Sequence, residues 1–164
     1  MKKTIAVLNQ LRKKGLIKNY AIGGGIATIF YVEPFFTYDL DVFIIPSGTV
    51  KKQNLILLSP IYNYLQAKGY KWKGEHILIE GVPVQFIPAD EFEKEAVARA
   101  KAVEYEGIKT RVLAPEYLVA VLLRAGRKKD LEKIEKLLEQ TKIDRRKLGA
   151  ILRKYGLSKK FDLL

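Results

Sequence analysis

Cysteine is missing from the 164 residues, and histidine occurs once, at His76. The first absence excludes disulfides and thiol chemistry and leaves the compartment open. The second argues against a histidine-built zinc site and against a Ser-His-Asp triad. No apolar run approaches the roughly 18 residues of a membrane span, so no membrane association is expected. The N-terminal Lys2-Lys3 followed by apolar residues faintly imitates a signal peptide, but Asn9, Gln10 and Arg12 interrupt it. An amphipathic first helix is the expectation there. Acidic residues are outnumbered: 18 Asp and Glu against 30 Lys and Arg leave a formal charge of +12. Such an excess steers polyanions such as RNA, or phosphate-rich substrates, toward the surface. Its alternative meaning is a solvated lysine coat of the kind thermophile proteins favour.

What is present describes a globular chain of one-domain length, with 48% hydrophobic and 29% charged residues. Ile5, Leu8 and Leu11 recur at helical spacing, and Gly15 supplies a stop. A first strand is expected at Tyr20–Ile22, a helix over 25–32, and a mostly buried second strand carrying Leu40, Val42 and Phe43–Ile45. Pro46 to Lys52 reads as a polar loop. Ser59-Pro60 reads as a helix start, with serine as cap and proline in the first turn. Three short strands, at Tyr70–Trp72, Ile77–Ile79 and Val82–Ile87, are separated by turns at Gly74 and Gly81. Tyr70 and Trp72 are expected in the core, and His76 at a turn or on the surface. A helix over 91–101 and a hairpin over 102–113 with Gly107 at its turn follow. Three helices close the chain: one opening at Pro115, one bearing Leu131, Ile134, Leu137 and Leu138, and one bearing Leu148, Ile151 and Leu152.

The stretch 21–45, AIGGGIATIFYVEPFFTYDLDVFII, organises the rest. A two-residue step on a strand sends the side chains of Asp39 and Asp41 to one face. Two neighbouring carboxylates repel unless a cation lies between them, and oxygen-only ligation suits Mg²⁺ or Mn²⁺. Gly23, Gly24 and Gly25 leave backbone N–H groups able to approach a phosphate where a helix begins. Glycine backbone for phosphates and a carboxylate pair for their metal together describe a nucleotide-transfer site.

Gly24-Gly25, thirteen residues, then Asp39-Leu40-Asp41 resembles the signature of the DNA polymerase beta-type nucleotidyltransferase superfamily. The Phe36-Thr37 lead-in and the later stretch from Arg124 to Ile134 resemble more narrowly the nucleotidyltransferase-like toxins of the abortive-infection type E group. The resemblance implies an α/β (α+β) nucleotidyltransferase fold: a mixed sheet of about five strands flanked by helices, with a core over 1–113 and a helical C-terminal part over 114–164. It implies a cytoplasmic protein that binds an NTP and Mg²⁺ or Mn²⁺. Asp39 and Asp41 would hold the metal and do the catalytic work. Gly24, Gly25, Thr37, Arg127, Lys129 and Asp130 would bind the nucleotide. Arg127 and Lys129 would contact the triphosphate while Asp130 orients one of them; the alternative for Asp130 is a helix N-cap among solvated basic residues. The acceptor would be a hydroxyl on an RNA end, a protein or a small molecule, and a protein antitoxin would be a partner.

Three positions depart from the resembled pattern. The superfamily places a third carboxylate, often a general base, on a strand after the carboxylate pair, and Gln85 stands there. Glutamine is neutral and accepts no proton at useful pH. Either Glu80 or Asp90 substitutes, or the hydroxyl loses its proton to water or substrate, or catalysis is lost and a silent nucleotide- or RNA-binding relative remains. Leu122 stands where lysine is frequent, and Lys133 where an acidic residue is frequent.

Overall fold

The structure, a computed structural model, describes residues 1–48 and 54–164, with residues 54–57 described in backbone only. The 49–52 part of the expected polar loop lies outside the described residues. Seven strands form one mixed sheet in the order β3-β4-β5-β2-β1-β7-β6. They are β1 (Ile17–Ile22), β2 (Leu40–Pro46), β3 (Lys71–Lys73), β4 (His76–Ile79), β5 (Val82–Pro88), β6 (Lys101–Tyr105) and β7 (Ile108–Val112). The α/β class with a mixed sheet and a helical C-terminal third is therefore observed, with seven strands rather than about five.

β2 lies near the centre, antiparallel to β1 and parallel to β5. Its Leu40, Val42 and Ile44 are completely buried, which suits a strand with neighbours on both sides. Antiparallel hairpins flank the centre on both sides. In two of them a Glu-Gly pair takes positive φ, Glu80-Gly81 between β4 and β5 and Glu106-Gly107 between β6 and β7. Two consecutive positive-φ residues make the turn whose twist matches that of the strands it joins.

α1 (Lys2–Lys13) buries Thr4, Ile5, Val7, Leu8 and Leu11 along one stripe. The Tyr20 hydroxyl lies 2.8 Å from Asn9 Oδ1 and 2.9 Å from Thr110 Oγ1, joining α1, β1 and β7. Burial raises the pKa of that hydroxyl, so it stays a neutral partner in the network. α2 (Gly24–Ile29) follows the glycine turn and ends three residues before the expected limit. The expected helix start at Ser59-Pro60 is corrected: α3 spans Asn54–Ala67 and carries Pro60 inside it. Leu58, Ile61 and Leu65 are buried at helical spacing, so the apolar face runs straight through the proline. Proline costs the helix one backbone hydrogen bond there, and burial of that face outweighs the loss. α4 (Glu91–Ala98) begins in a capping box, with Asp90 bonding Glu93 N and the Glu93 carboxylate accepting from Asp90 N. It stops short of the expected residue 101 because β6 has already begun there.

α5 (Pro115–Ala125) is buried from Pro115 through Leu123, as befits a helix enclosed by its neighbours. α6 (Lys128–Gln140), α7 (Arg145–Lys154) and α8 (Ser158–Phe161) are amphipathic or exposed and pack outside it. Leu118, on α5, has no solvent exposure. Leu118→Ala is expected to cost about 2–5 kcal/mol through lost transfer energy and a residual cavity. A urea titration would show this as a lower midpoint at unchanged slope.

Candidate active site

The glycine turn and β2 meet so closely that side chains on one replace side chains on the other. A Cβ on Gly24 would lie 1.9 Å from Asp41 Oδ2, and one on Gly25 would lie 2.3 Å from Thr37 Oγ1. Gly24 also has φ +57°, a conformation costly for any residue with a Cβ. Gly23 N donates to Asp41 O at 2.9 Å, and Thr28 Oγ1 donates to Gly24 O at 2.9 Å, so the turn is tied at both ends. All three glycines are buried. The space they leave is filled by the Asp41 carboxylate and the Thr37 hydroxyl.

Asp41 sits on β2 and Asp39 one residue before it, both partly buried. Burial pushes the Asp41 carboxyl above its ordinary range, and the Asp39 charge pushes it further. Arg127 and Lys133 pull the other way. These two cations belong to one arrangement at the start of α6. Arg127 Nε donates to Asp130 Oδ2 at 2.6 Å, Arg127 Nη2 to Oδ1 at 3.3 Å, and Lys133 Nζ to Oδ1 at 2.9 Å. Asp130 has no solvent exposure. Burial alone would raise its pKa, yet the two bonded cations outweigh burial and hold the carboxyl below its ordinary value. The hydrogen bonds that Arg127 donates to Asp130 in turn raise the Arg127 pKa, with the Asp41 and Asp39 charges adding.

The N-cap alternative for Asp130 is thus corrected. Arg127 occupies the cap position, and Asp130 lies in the first turn with its side chain turned inward. The cations it orients are Arg127 and Lys133, while Lys129 is exposed and is not among the partners of Asp130. Lys133 entered the sequence reading only as a departure from a pattern. Its three-residue spacing from Asp130 was the signal available.

Between the segment leading into β2 and α6 opens a cleft of about 590 Å³, a size that accommodates small ligands. Thr37, Tyr38, Asp39 and His76 line one side, and Lys129, Glu132, Lys133 and Lys136 the other. His76 is not an isolated surface histidine, as its place in the sequence suggested. Its Nε2 lies 3.3 Å from Asp39 Oδ2. β4 brings it there through β5, which pairs directly with β2. Gln85 pairs with Asp41 across the β2–β5 register, so the two side chains rise from the same face.

Glu80 and Asp90 are engaged elsewhere. Glu80 accepts from the Tyr70 hydroxyl at 2.8 Å and lies 4.0 Å from Lys3 Nζ. Asp90 caps α4 and pairs with Arg124 at 2.7 Å. Among the described residues, no three His, Cys, Asp or Glu side chains converge as metal ligands. The donors present fit a hard divalent ion in one way. Asp39 and Asp41 would supply carboxylate oxygens from one face, and water or substrate phosphate oxygens would complete the shell. A cation between them would offset the Asp39 charge, which after burial is the next cause raising the Asp41 pKa. Chemically, the cleft sets a carboxylate pair opposite a row of cations, an arrangement able to hold a polyphosphate.

No protein-family model matches this chain, and no curated protein matches it in sequence. Solved structures do match it in fold. An antigenic nucleotidyltransferase-like protein from Paracoccidioides brasiliensis superposes with TM-score 0.56 at 18% identity, over 99% of this chain and 89% of that one. The solution structure of the antibiotic-resistance factor ANT(2″)-Ia gives TM-score 0.53 at 16% identity, over 98% and 92%. The crystal structure of ANT(2″)-Ia in complex with adenylyl-2″-tobramycin gives 0.52 at 15%, over 95% and 98%. The chain has a nucleotidyltransferase-like fold.

Two outcomes are expected from substitution at this site. Gly24→Ala must displace Asp41 and strain the turn, lowering the melting temperature by several degrees. Gly149→Ala, on the exposed side of α7, should leave it equal or raise it. Differential scanning calorimetry of the two variants checks this pair. A carboxylate with a raised folded pKa destabilises the folded state above its unfolded value near 3.9 and releases that penalty as pH falls through the raised value. Asp41→Asn should therefore stabilise the metal-free protein at pH 7. The gain should shrink on acidification through the raised pKa, as read from urea midpoints across pH.

Proposed function

We propose that the protein is a metal-dependent nucleotidyltransferase that moves an NMP from an NTP to an acceptor hydroxyl. The observation that carries this reading is that Asp39 lines a cleft opposite Lys129 and Lys133, with Asp41 beside it under the charges of Arg127 and Lys133. In this reading the core over 1–113 contributes the carboxylates, and the helical part over 114–164 contributes the phosphate-binding cations. The triphosphate lies along the cleft, with Arg127, Lys129 and Lys133 on its oxygens and the Gly24-Gly25 turn and Thr37 beside it. Asp130 serves by holding Arg127 and Lys133 in place. Asp39 and Asp41 would hold Mg²⁺ or Mn²⁺, which when bound neutralises phosphate charge and polarises the reacting phosphorus. His76 fixes the orientation of the Asp39 carboxylate through their hydrogen bond.

The acceptor oxygen attacks the α-phosphorus in line with the bridging oxygen to the β-phosphate. The new P–O bond forms as that bond breaks, and pyrophosphate leaves toward Lys129 and Lys133. Gln85, beside Asp41, cannot take the acceptor proton. With Glu80 and Asp90 committed elsewhere, the proton passes to water or to a substrate oxygen. Electrostatic stabilisation then carries most of the rate enhancement. The narrower reading, a cytoplasmic toxin held by a protein antitoxin, rests on the Phe36-Thr37 lead-in and the stretch from Arg124 to Ile134.

A second reading is favoured by Gln85: a relative that binds nucleotide without transferring it. Leu122 weighs less in that choice, since it is buried in α5 and its place in the fold calls for an apolar side chain. Label transfer decides between the two. Each NTP, radiolabelled at the α-phosphate, is incubated with Mg²⁺ or Mn²⁺ and total RNA or protein, with the Asp39→Asn, Asp41→Asn double variant as blank. Transfer by the native protein and a loss of at least about 100-fold in the variant are expected. Metal-dependent NTP binding without transfer would instead establish the silent binder, and absence of both would remove the site assignment.

A further inference from the structure

Nucleotidyl transfer assigns no task to the outer surface of α7 and α8. From Arg145 to Phe161 the chain carries seven lysines and arginines and no aspartate or glutamate. α6, by contrast, balances four lysines with four acidic residues. Three of the seven, Arg145, Arg146 and Lys147, occupy the first turn of α7, where the helix dipole disfavours positive charge. A coat of cations kept for solubility alone gains nothing from that placement. Lys147 pairs with Glu116 at 3.3 Å, Lys154 bonds Glu95, and Lys160 donates to Arg124 O at 3.2 Å. Arg145, Arg146, Arg153 and Lys159 form no ion pair among the described residues.

α7 stands as a ridge between two grooves. Leu148, Ile151 and Leu152 are buried beneath it, while Arg146, Gly149, Ala150 and Arg153 follow one another at helical spacing along its outer side. One groove, of about 420 Å³, runs beside Arg145 and Arg153 and has Leu148, Leu152 and Phe161 in its lining. The other, of about 330 Å³, has Ile151 and Tyr117 in its lining, beside Arg99, Lys147 and Lys154. Each groove carries one acid, Asp162 in the first and Glu95 in the second, so cations exceed acids in both. Glu95 already accepts from the hydroxyls of Tyr117 and Tyr155 as well as from Lys154. Between Arg146 and Arg153 the ridge is low, because Gly149 and Ala150 raise almost nothing above the backbone.

We infer that this ridge docks an acidic amphipathic helix of a partner protein. The partner helix crosses α7 at Gly149 and Ala150, its carboxylates meet Arg145, Arg146 and Arg153, and its apolar side chains enter the groove lined by Leu148, Leu152 and Phe161. Small residues at the crossing let two helix axes approach closely, and the unpaired arginines on either side of it supply the charge complementarity. The inference stands apart from nucleotidyl transfer and uses none of its residues. A nucleic-acid strand would use the cations but asks for aromatic faces to stack on, whereas Gly149 and Ala150 are what lies between Arg146 and Arg153. An anionic membrane would also use the cations, yet α7 exposes no large apolar side chain to insert into it. The formal charge of +12 draws any polyanion to the surface, so the test must separate this ridge from general attraction.

The probe is a fluorescein-labelled peptide of about 16 residues, rich in glutamate and with leucines on one helical face. Its anisotropy is followed over a range of salt, beside a peptide of the same composition with the leucines scattered, a single-stranded RNA and vesicles containing phosphatidylserine. The full chain is compared with Gly149→Gln, with Arg146→Ala/Arg153→Ala, and with Lys71→Ala/Lys109→Ala as a charge-matched control on β3 and β7. Gly149→Gln raises the low point of the ridge without removing a charge. A Cβ there meets only Arg153 Nη1, at 3.4 Å, and glutamine favours a helix more than glycine does, so the variant should melt no lower than the native protein. The amphipathic peptide should bind, Gly149→Gln should weaken it roughly 10-fold at unchanged salt dependence, and the arginine pair should weaken it and flatten that dependence. The control should move affinity less than about twofold. An amphipathic peptide that does not bind, or that binds no better than the scattered one, would overturn the inference. So would normal binding by Gly149→Gln, equal effects of the arginine and lysine pairs, or tighter binding of the RNA or the vesicles than of the peptide.

Discussion

Two neighbouring carboxylates at the start of a buried strand constrain everything around them. Asp41 lies on β2 and Asp39 just before it, close enough that the Asp39 charge adds to burial in raising the Asp41 pKa. Asp41 cannot withdraw, because the Gly24 backbone occupies the space behind its carboxylate. The protein answers the resulting repulsion from across the cleft, with Arg127 and Lys133 acting on Asp41. Those cations would themselves repel each other without Asp130, whose two oxygens are shared between them. The charges therefore form an alternating set, from Asp39 and Asp41 through Arg127 and Lys133 to Asp130. Removing Asp130 leaves Arg127 and Lys133 uncompensated beside a buried position, where such loss is costly.

Gln85 takes on meaning within that set. A third carboxylate opposite Asp41 would add to a repulsion that already raises the Asp41 pKa. A neutral amide there relieves it, and Lys133 adds positive charge on the facing wall. Both departures move the site the same way, toward fewer negative charges and more fixed positive ones. Such a site asks less of a metal ion for its stability. In the proposed transferase reading it also gives up a general base, and transition-state stabilisation would come from fixed charge rather than from proton transfer.

Local sequence made much of this legible, and long-range pairing hid the rest. β2 and its carboxylates, the glycine turn, both Glu-Gly hairpins and the apolar faces of α5 and α6 follow from spacing and turn chemistry within a few residues. Pro60 misled because its local preference for a helix start lost to the apolar face through Leu58, Ile61 and Leu65. His76 was invisible because its approach to Asp39 depends on β4 pairing with β5, and β5 with β2, across 37 positions of chain. Asp130 and Arg127 were named as site residues but Lys133 was not, although it stands three residues after Asp130 as Arg127 stands three before it. That Leu78 and Gln85 are only half-buried could be learned only from which helices cover the sheet.

A site built from two walls is only as good as the distance between them, and the ties that set this distance lie away from the charges. Thr141 Oγ1, just past the C-terminal end of α6, donates to Tyr31 O at 2.9 Å, and Glu33 N donates to Gln140 Oε1 at 2.9 Å. These bonds fasten α6 to the loop that leads into β2. The Tyr31 hydroxyl donates to Leu113 O at 2.9 Å, extending the tie to the segment before α5. On the other side, Arg124 of α5 pairs with Asp90 and Glu93 while lying over the Phe92 ring at 4.7 Å, which anchors the preceding helix to α4. Both ends of the cationic wall are thus fixed to elements that also hold the carboxylate wall. Fixed charges stabilise a transition state only when they need not move to meet it, and these bonds supply that rigidity without placing a further charge in the cleft.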